Sequence, residues 1–348
     1  MVREYECPNC GAPMIFDSTL QQMLCEHCGT AETVEAMEAM KNQTDEAQVD
    51  DTVYHTGEDA SLKRYTCSGC GAEIMTDEHT AATFCSFCGS PTLMEDRLSG
   101  QTMPARIIPF KINKEEAKQR YRAWCRKGIL TPKEFSSQNT IEKITGMYVP
   151  FWLYDYNANA KLSADCTKVH RERRGDTEYT HTDHYRVYRD VSDVYEKLPV
   201  DASEKMPDDV MKRLEPFSYG EMQDFNMGYL SGYMAEKYNY TSEELKKQAE
   251  NRAEKYIYDE ARDTIDGYSS TNVRGRNIRV HCTGATYAML PVWILNYRYK
   301  GKEYLFTLNG QTGKMDGKLP ISKGKMAAWF AGITAASYVV LTVIGGIL

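Results

Sequence analysis

Apolar positions along the chain fall into three patterns, and each predicts a different kind of structure. Alternating segments such as 161–169 and 179–191 predict strands, because successive side chains of a strand point to opposite faces. Two segments with helical spacing follow capping residues, Asn113 and Thr241, and each has a glutamate three residues later. The last 23 residues, 326–348, carry no charged side chain. Strands mixed with helices predict an α+β body ahead of a terminal apolar helix.

Two strongly aromatic strands are predicted at 147–156 and 287–299. The first contains Val-Pro-Phe-Trp and the second Leu-Pro-Val-Trp, and each follows a predicted helical segment. This similarity indicates a body made of two related α+β units, 99–200 and 201–322. Ordinary strand composition would produce the same similarity, so both interpretations stay open. Exposed edges or faces of these aromatic strands are candidate docking surfaces.

Eight of the 11 cysteines form two copies of the pattern C-x2-C-x14-C-x2-C-G, which lie sixty positions apart. A Cys-x-x-Cys turn brings two thiolates to one ion, and two such turns complete a tetrahedron. Disulfides and unrelated free thiols are the alternatives. The pattern predicts two structural Zn²⁺ ions, in zinc ribbons at residues 1–30 and 63–98. The predicted metal ligands are Cys7, Cys10, Cys25, Cys28, Cys67, Cys70, Cys85 and Cys88.

Charge is distributed unevenly along the chain. The whole chain has a net charge of −7, whereas the first 100 residues hold 5 basic and 18 acidic side chains. Residues 31–62 are predicted to form a short helix and an acidic linker. Because Zn²⁺ bound by four thiolates adds two more negative charges to each ribbon, the ribbons are poorly suited to nucleic acid.

One basic patch departs from this trend. It lies in a predicted hairpin and is interpreted as a solvated turn, or as a contact for anionic lipid or an acidic partner. Its members are Arg171, Arg173, Arg174, Arg186 and Arg189.

No catalytic motif stands out in the sequence. It contains neither a Walker-type phosphate loop nor a nucleophile elbow, and four cysteines around one ion leave no open position for substrate. His181 and His184, with His170 nearby, are a weak metal candidate, because strand residues three apart face opposite sides. The sequence therefore predicts a protein that is not an enzyme and has no catalytic residues.

The uncharged segment 326–348 is long enough to cross a bilayer as a helix. Trp329 lies where an interfacial ring is expected, and Lys318, Lys323 and Lys325 precede the segment. A single-pass membrane protein with its preceding domains in the cytoplasm is predicted, in agreement with the reducing conditions that zinc thiolates need. A buried core helix is the alternative. Since the chain stops within the apolar run, we expect either a tail anchor or a longer natural protein.

Taken together, the twin cysteine quartets, the two aromatic-proline strands, Leu-Asn-Gly-Gln-Thr-Gly-Lys at 308–314 and the apolar terminus resemble a Gram-positive bacterial family. Its members are the TFIIB-type zinc-ribbon-containing, or YdjG-like, membrane proteins. The resemblance covers nearly the whole chain and implies a non-enzymatic membrane factor. It further implies genomic neighbours of the PspA (ESCRT-III-like) and band-7 (SPFH) types, and a role in envelope stress or membrane maintenance.

Three functions are compatible with these patterns. The favoured one is a membrane-anchored scaffold or adaptor that presents its ribbons as tips on an acidic tether and binds other membrane-associated proteins. The second is a membrane-tethered nucleic-acid-binding or transcription-associated regulator. The third is an enzyme whose pocket lies in the α+β body.

Overall fold

The computed structural model describes residues 2–45, 62–67, 70–85, 88, 90–94, 97–98 and 100–345. Both strands and helices occur in these ranges, so the predicted mixed α+β class is confirmed. Most of the predicted acidic linker, 46–61, lies outside the described residues, as do the last three residues of the predicted membrane segment, 346–348.

Strands are short near the N-terminus and very long in the middle of the chain. They are β1 (Val2–Arg3), β2 (Ile15–Asp17), β3 (Gln22–Leu24), β4 (Ala31–Glu32), β5 (Leu62–Thr66), β6 (Glu73–Asp77), β7 (Thr80–Phe84), β8 (Pro91–Met94), β9 (Arg106–Ile107), β10 (Thr145–Arg174), β11 (Thr177–Asp201), β12 (Gln223–Asp224), β13 (Met234–Glu236), β14 (Ser270–Tyr299), β15 (Lys302–Asn309) and β16 (Met315–Gly317). The helices are α1 (Val34–Asp45), α2 (Lys114–Lys127), α3 (Gln138–Ile141), α4 (Asp208–Leu214), α5 (Ser242–Asp263) and α6 (Lys323–Gly345).

The chain divides into two compact units, each assembled from separate stretches of sequence. Unit one consists of Met1–Val149, Lys205–Lys237 and Met289–Leu348. Unit two consists of Pro150–Glu204 and Tyr238–Ala288. The domains predicted from the sequence are contiguous ranges, and that division stays a prediction.

Unit two contains parts of three paired strands, with α5 packed on one face. In this sheet β10 lies between β11 and β14. The buried stripe of α5 includes Ile257 and Ala261, which pack against Ala158, Ala160 and Leu162 of β10. The alanines on both surfaces allow the helix to approach the sheet closely, because no long side chain separates the two backbones.

Both predicted helix starts are confirmed by their capping contacts. The Asn113 side chain accepts a hydrogen bond from the Glu116 N–H at 2.8 Å and begins α2. Thr241 and Glu244 form a reciprocal capping box at the start of α5. Such contacts satisfy backbone N–H groups that have no partner within the first helical turn.

Strand β10 is longer than its sequence pattern predicts. Residues 147–156 and 161–169 are predicted as separate strands, but the structure joins them into one strand of 30 residues. The reason is the pairing with β11, which continues from Phe151 opposite Asp201 to Arg174 opposite Thr177. The hydrogen bonds of this ladder hold the polar residues of β10 in the strand. Their side chains can point to solvent because α5 covers the other face of the sheet.

An aromatic cluster forms the core of unit one. The Phe110 ring stacks on Tyr233 with centroids 4.2 Å apart, and it makes edge contacts with Tyr148 at 5.0 Å and Trp293 at 5.1 Å. The Trp293 indole N–H donates to the Ile112 carbonyl at 2.9 Å. Because Tyr148 and Trp293 are buried, the expectation that the aromatic strands offer a docking face is wrong for these side chains.

A polar turn explains the Asn-Gly-Gln-Thr-Gly sequence after β15. The Asn309 amide donates to the Leu214 carbonyl at 3.0 Å, while its oxygen accepts the N–H groups of Gln311 and Thr312, both at 2.9 Å. Asn309 is fully buried, so its side chain ties this turn to the end of α4.

The close packing of α5 on β10 leads to a prediction for Ala160, which is fully buried, and its neighbour Lys161 on the opposite face. We expect Ala160→Leu to lower the free energy of unfolding by about 1–3 kcal/mol, since the larger side chain must push the helix from the sheet. The matched Lys161→Leu variant should change it by about 0.5 kcal/mol or less. Urea unfolding of both variants measures this difference. Equal losses of unfolding free energy would contradict the close packing of α5 on β10.

Candidate metal centres

The first four cysteines converge at the open end of the hairpin formed by β2 and β3. The Sγ atoms of Cys7 and Cys28 are 3.5 Å apart, and those of Cys10 and Cys25 are also 3.5 Å apart. All four sulfurs lie within 4.8 Å of one another. Residues that are as many as 21 positions apart in the sequence therefore meet at one point in space.

A tight turn of the backbone positions each pair of cysteines. In the first turn the Cys7 N–H donates to the Ala12 carbonyl at 2.8 Å, and the Gly11 N–H donates to the Cys7 carbonyl at 2.9 Å. Gly11 has a φ of 72°, which glycine adopts without the steric cost that other residues incur. The turns that begin at Cys25 and Cys67 repeat both hydrogen bonds. The glycine after each of these Cys-x-x-Cys pairs is thus required by the turn itself.

The second quartet repeats the geometry of the first, sixty positions later, at the ends of β6 and β7. These two strands and the turn between them are called the second hairpin. The Sγ atoms of Cys67 and Cys88 are 3.7 Å apart, as are those of Cys70 and Cys85, and all four lie within 4.8 Å. In both quartets the first cysteine of each pair is buried and the second is exposed. Each centre therefore lies at the surface of its hairpin.

The sulfur positions fit a tetrahedral metal ion. Four thiolates bound at about 2.3 Å to one ion hold neighbouring sulfurs about 3.8 Å apart. The observed separations of 3.5–3.7 Å match that arrangement and are far longer than a disulfide bond of about 2.05 Å. Each quartet could therefore hold one metal ion.

A hydroxyl group lies beside the last cysteine of each quartet, and the cysteine spacing alone does not point to either residue. The Thr30 hydroxyl lies 3.1 Å from Cys28 Sγ, and hydrogen bonding to this hydroxyl and to the Thr30 backbone lowers the pKa of that thiol to about 5. The Ser90 hydroxyl lies 3.3 Å from Cys88 Sγ, and hydrogen bonding to this hydroxyl and to the Ser90 backbone lowers the pKa of that thiol to about 6. Both hydroxyls favour the thiolate, the form that binds metal. The shared Cys-Gly-Thr/Ser sequence was the signal available in the repeat.

The far end of each hairpin also repeats. The Asp17 carboxylate accepts the N–H groups of Thr19 and Leu20, both at 2.8 Å. The Asp77 carboxylate, sixty positions later, accepts those of His79 and Thr80 at 3.0 and 2.8 Å. Aspartate at this position bonds the turn that reverses the chain. The sixty-residue repeat therefore extends to the turns between the cysteine pairs.

Both hairpins are packed into unit one rather than held away from it. The Phe16 N–H in the first hairpin donates to the Ser231 carbonyl at 2.9 Å, and the Ser231 hydroxyl donates to the Met14 carbonyl at 2.8 Å. In the second hairpin, β7 pairs with β13 through Ala82 and Ala235. The expectation of free tips on a tether is therefore wrong for the described hairpin strands. The loops inside the two Cys-x-x-Cys pairs of the first hairpin, which we call its knuckle loops, are exposed.

The arginines of the basic patch are partly ion-paired, and the candidate histidines do not form a metal-binding group. Of the arginines in the basic patch, Arg174 lies 3.0 Å from Glu172 and Arg186 lies 3.1 Å from Asp165. His170 is paired with His181 across the hairpin, whereas His184 is paired with Thr167. Among the described residues, the groups with metal-binding geometry are the two cysteine quartets.

The apolar helix α6 stands out from the rest of unit one by its exposure. Its stretch Lys323–Thr342 is 20 residues long and is not buried within the structure. Side chains such as Phe330 and Leu341 are 73% and 69% exposed. By length and composition, this is one candidate membrane-spanning helix within the part of the chain that the structure describes.

These features define a class of protein: an α+β protein with two four-cysteine groups near its N-terminus and an apolar helix near its C-terminus. The chain is 44% identical over 344 residues to "Uncharacterized protein YdjG" of Bacillus subtilis (strain 168), and the alignment covers 99% of this chain and 98% of the relative. The chain therefore belongs to the YdjG family. No family model matches the chain, and no solved structure matches it.

The sulfur geometry predicts the metal content of single variants. The purified protein should hold two equivalents of metal, and Cys10→Ser and Cys70→Ser should each hold one, because each removes one ligand from a different quartet. Cys282→Ser, outside both quartets, is the control and should retain two. Elemental analysis by mass spectrometry gives these values. Loss of both ions from either quartet variant would show that the centres are not independent.

The supporting hydroxyls lead to a separate prediction. Thr30→Val and Ser90→Ala should each weaken metal binding at one centre by about 10–100-fold, because the sulfur ligand loses the hydroxyl that is its hydrogen-bond partner. Thr19→Val changes a hydroxyl at the far end of the first hairpin, where it contacts Asn113, and should leave the affinity unchanged. Competition with a chelator measures all three affinities. An unchanged affinity in Thr30→Val and Ser90→Ala would exclude this supporting role.

Proposed function

We propose that this protein is a membrane-anchored zinc-ribbon adaptor, without catalytic activity, that binds other membrane-associated proteins on the cytoplasmic side. The observation that carries the proposal is that both cysteine quartets and the exposed apolar helix α6 belong to unit one. A single compact unit would then join the bilayer to two cysteine quartets, each with two exposed members.

The chemistry of the donor set supports structural zinc as the metal. Four thiolates with tetrahedral spacing suit Zn²⁺, and a closed shell of four cysteines leaves no position for a reacting ligand. The residues proposed to hold the two ions are the eight cysteines of the quartets. When bound, the ions would supply folding free energy to hairpins that bury little apolar surface of their own.

The knuckle loops are the proposed recognition surface. Pro8 and Asn9 of the first turn are exposed, and so are Glu26 and His27 of the second. Since a zinc ion with four thiolates carries two negative charges, the first ribbon would present an acidic surface. A basic segment of a membrane-associated protein is the partner chemistry that fits, and PspA-type and band-7 proteins remain the proposed partners.

The orientation in the membrane is proposed from the lysines that flank α6. Lys318 and Lys323 are exposed just before the apolar residues begin, and positive residues are retained on the cytoplasmic side. The same side keeps thiols reduced and available to metal. A role in envelope stress or membrane maintenance would follow from binding partners at this surface.

Nucleic-acid binding is a second candidate function, favoured by one strand of unit two. In β14, Arg274, Arg276 and Arg279 are exposed or half-buried, and the stretch 270–288 contains no acidic residue. Arg274 is 3.0 Å from Asp165, which reduces its availability to phosphate. A salt titration of DNA and RNA binding tests this function, because binding to phosphates weakens steeply as salt rises.

Affinity capture of the full chain from solubilised membranes of its host tests the adaptor function. Proteins that bind the first ribbon should be recovered with the wild type and lost with Glu26→Arg, which reverses the charge of the exposed loop while retaining all four cysteines. Lys255→Glu, an exposed position of unit two, is the matched charge-reversal control and should retain them.

Two results would contradict the proposal. One is equal recovery with Glu26→Arg and the wild type, in samples that both hold two equivalents of zinc. The other is release of the full chain from membranes by high salt, which leaves a membrane-spanning helix in place.

A further inference from the structure

We propose that the surface beside the start of α6 is a second membrane contact, which lies in the headgroup layer and binds anionic phospholipid. We call this surface, formed by the loop 127–131, the segment 319–321 and Trp329, the membrane foot. The inference rests on the membrane anchoring proposed above. It adds that unit one lies directly against the bilayer.

The start of α6 is fixed to unit one by hydrogen bonds. The Ser322 N–H donates to the Leu130 carbonyl at 2.9 Å, and the Lys325 ammonium donates to the Thr131 carbonyl at 2.6 Å. Leu319 also packs on Gly128, where an added Cβ would come within 2.7 Å of the leucine Cδ1. The helix therefore leaves unit one without a free linker, and a helix that spans a bilayer would carry this loop to its surface.

The membrane foot exposes more apolar surface than an isolated side chain would. Ile129 is 63% exposed, Ile321 is 62% exposed and Trp329 is 50% exposed. These three side chains line one shallow trough with a volume of about 370 Å³. Neighbouring exposed apolar side chains of this kind mark an interaction surface.

Trp329 sets the depth of the membrane foot. Tryptophan is enriched where hydrocarbon meets headgroups. With a rise of 1.5 Å per residue, Trp329 lies about 9 Å along α6 from its first residue, Lys323. Because Ile129 lines the same trough as Trp329, the loop residue would lie at the same interfacial level.

The charged residues around the membrane foot select the lipid. Lys127 is the charged residue among those that line the trough, and no acidic residue lines it. Lys318 and Lys323 are exposed in the adjoining chain. Ammonium groups pair with the phosphate of an anionic phospholipid. The exposed isoleucines beside them suit the adjoining start of its acyl chains.

Site-specific photo-crosslinking tests the membrane foot in the full chain. The protein is reconstituted in vesicles of equal phosphatidylcholine and phosphatidylglycerol, with a diazirine amino acid at one position at a time. We expect lipid adducts at Ile129 and Ile321 at least ten-fold above those at Leu20, which is also in unit one and 51% exposed. Phe330, inside the apolar stretch of α6, is the positive control.

The controls separate the two proposals. Adducts at Phe330, with no more adduct at Ile129 and Ile321 than at Leu20, would overturn the membrane foot and leave the anchor intact. No adduct at Phe330 would overturn the membrane anchoring itself, and the membrane foot with it.

The lipid preference has its own test in the same vesicles. Adducts at Ile129 should be enriched at least two-fold for phosphatidylglycerol over phosphatidylcholine. Lys127→Gln combined with Lys323→Gln should remove the enrichment, whereas Lys133→Gln, which does not line the trough, should retain it. Equal yields for the two lipids in the wild type would overturn the assignment to anionic lipid.

Discussion

Convergence of four sulfurs at the open end of each hairpin is the constraint on which unit one depends. Strands β2 and β3 have three residues each and bury few side chains, among them Phe16 and Met23. Hairpins of this size are marginal in water by themselves, so contacts at their ends and with the rest of unit one add stability. Strand β7 of the second hairpin ends just before Cys85 and pairs with β8 and β13, which ties these strands of unit one to the position of the second quartet.

The two ends of the second hairpin are stabilised by different interactions. At the thiol end, backbone hydrogen bonds within the turns position the four sulfurs close together. At the other end, the Lys205 ammonium lies 2.7 Å from Asp77 and 2.7 Å from the buried Glu236. Partial burial of Asp77 opposes its ionisation, but hydrogen bonds from Lys205 and Thr80 outweigh it and hold the pKa of Asp77 below its usual range. This end is joined to unit one, whereas Cys70 and Cys88 at the thiol end are exposed.

Unit one contains both cysteine quartets and the start of α6. The Trp293 indole and the Asn309 amide are buried and hydrogen-bonded to backbone carbonyls, so the core has a specified arrangement as well as apolar contacts. Helix α6 begins from the same unit through Ser322 and Lys325. Movement of the helix start would therefore be transmitted to a packed unit rather than absorbed by a linker.

The sequence by itself determined the two cysteine quartets, the caps at Asn113 and Thr241 and the apolar run of α6, because spacing, capping and length are local properties. Tertiary structure alone decided that β10 is continuous, since its polar residues are held by the ladder to β11. It also decided that the hairpins pack against distant segments such as the one at Ser231, a contact that joins residues 217 positions apart. No local pattern encodes a partner so far along the chain, and only the folded backbone brings the two together.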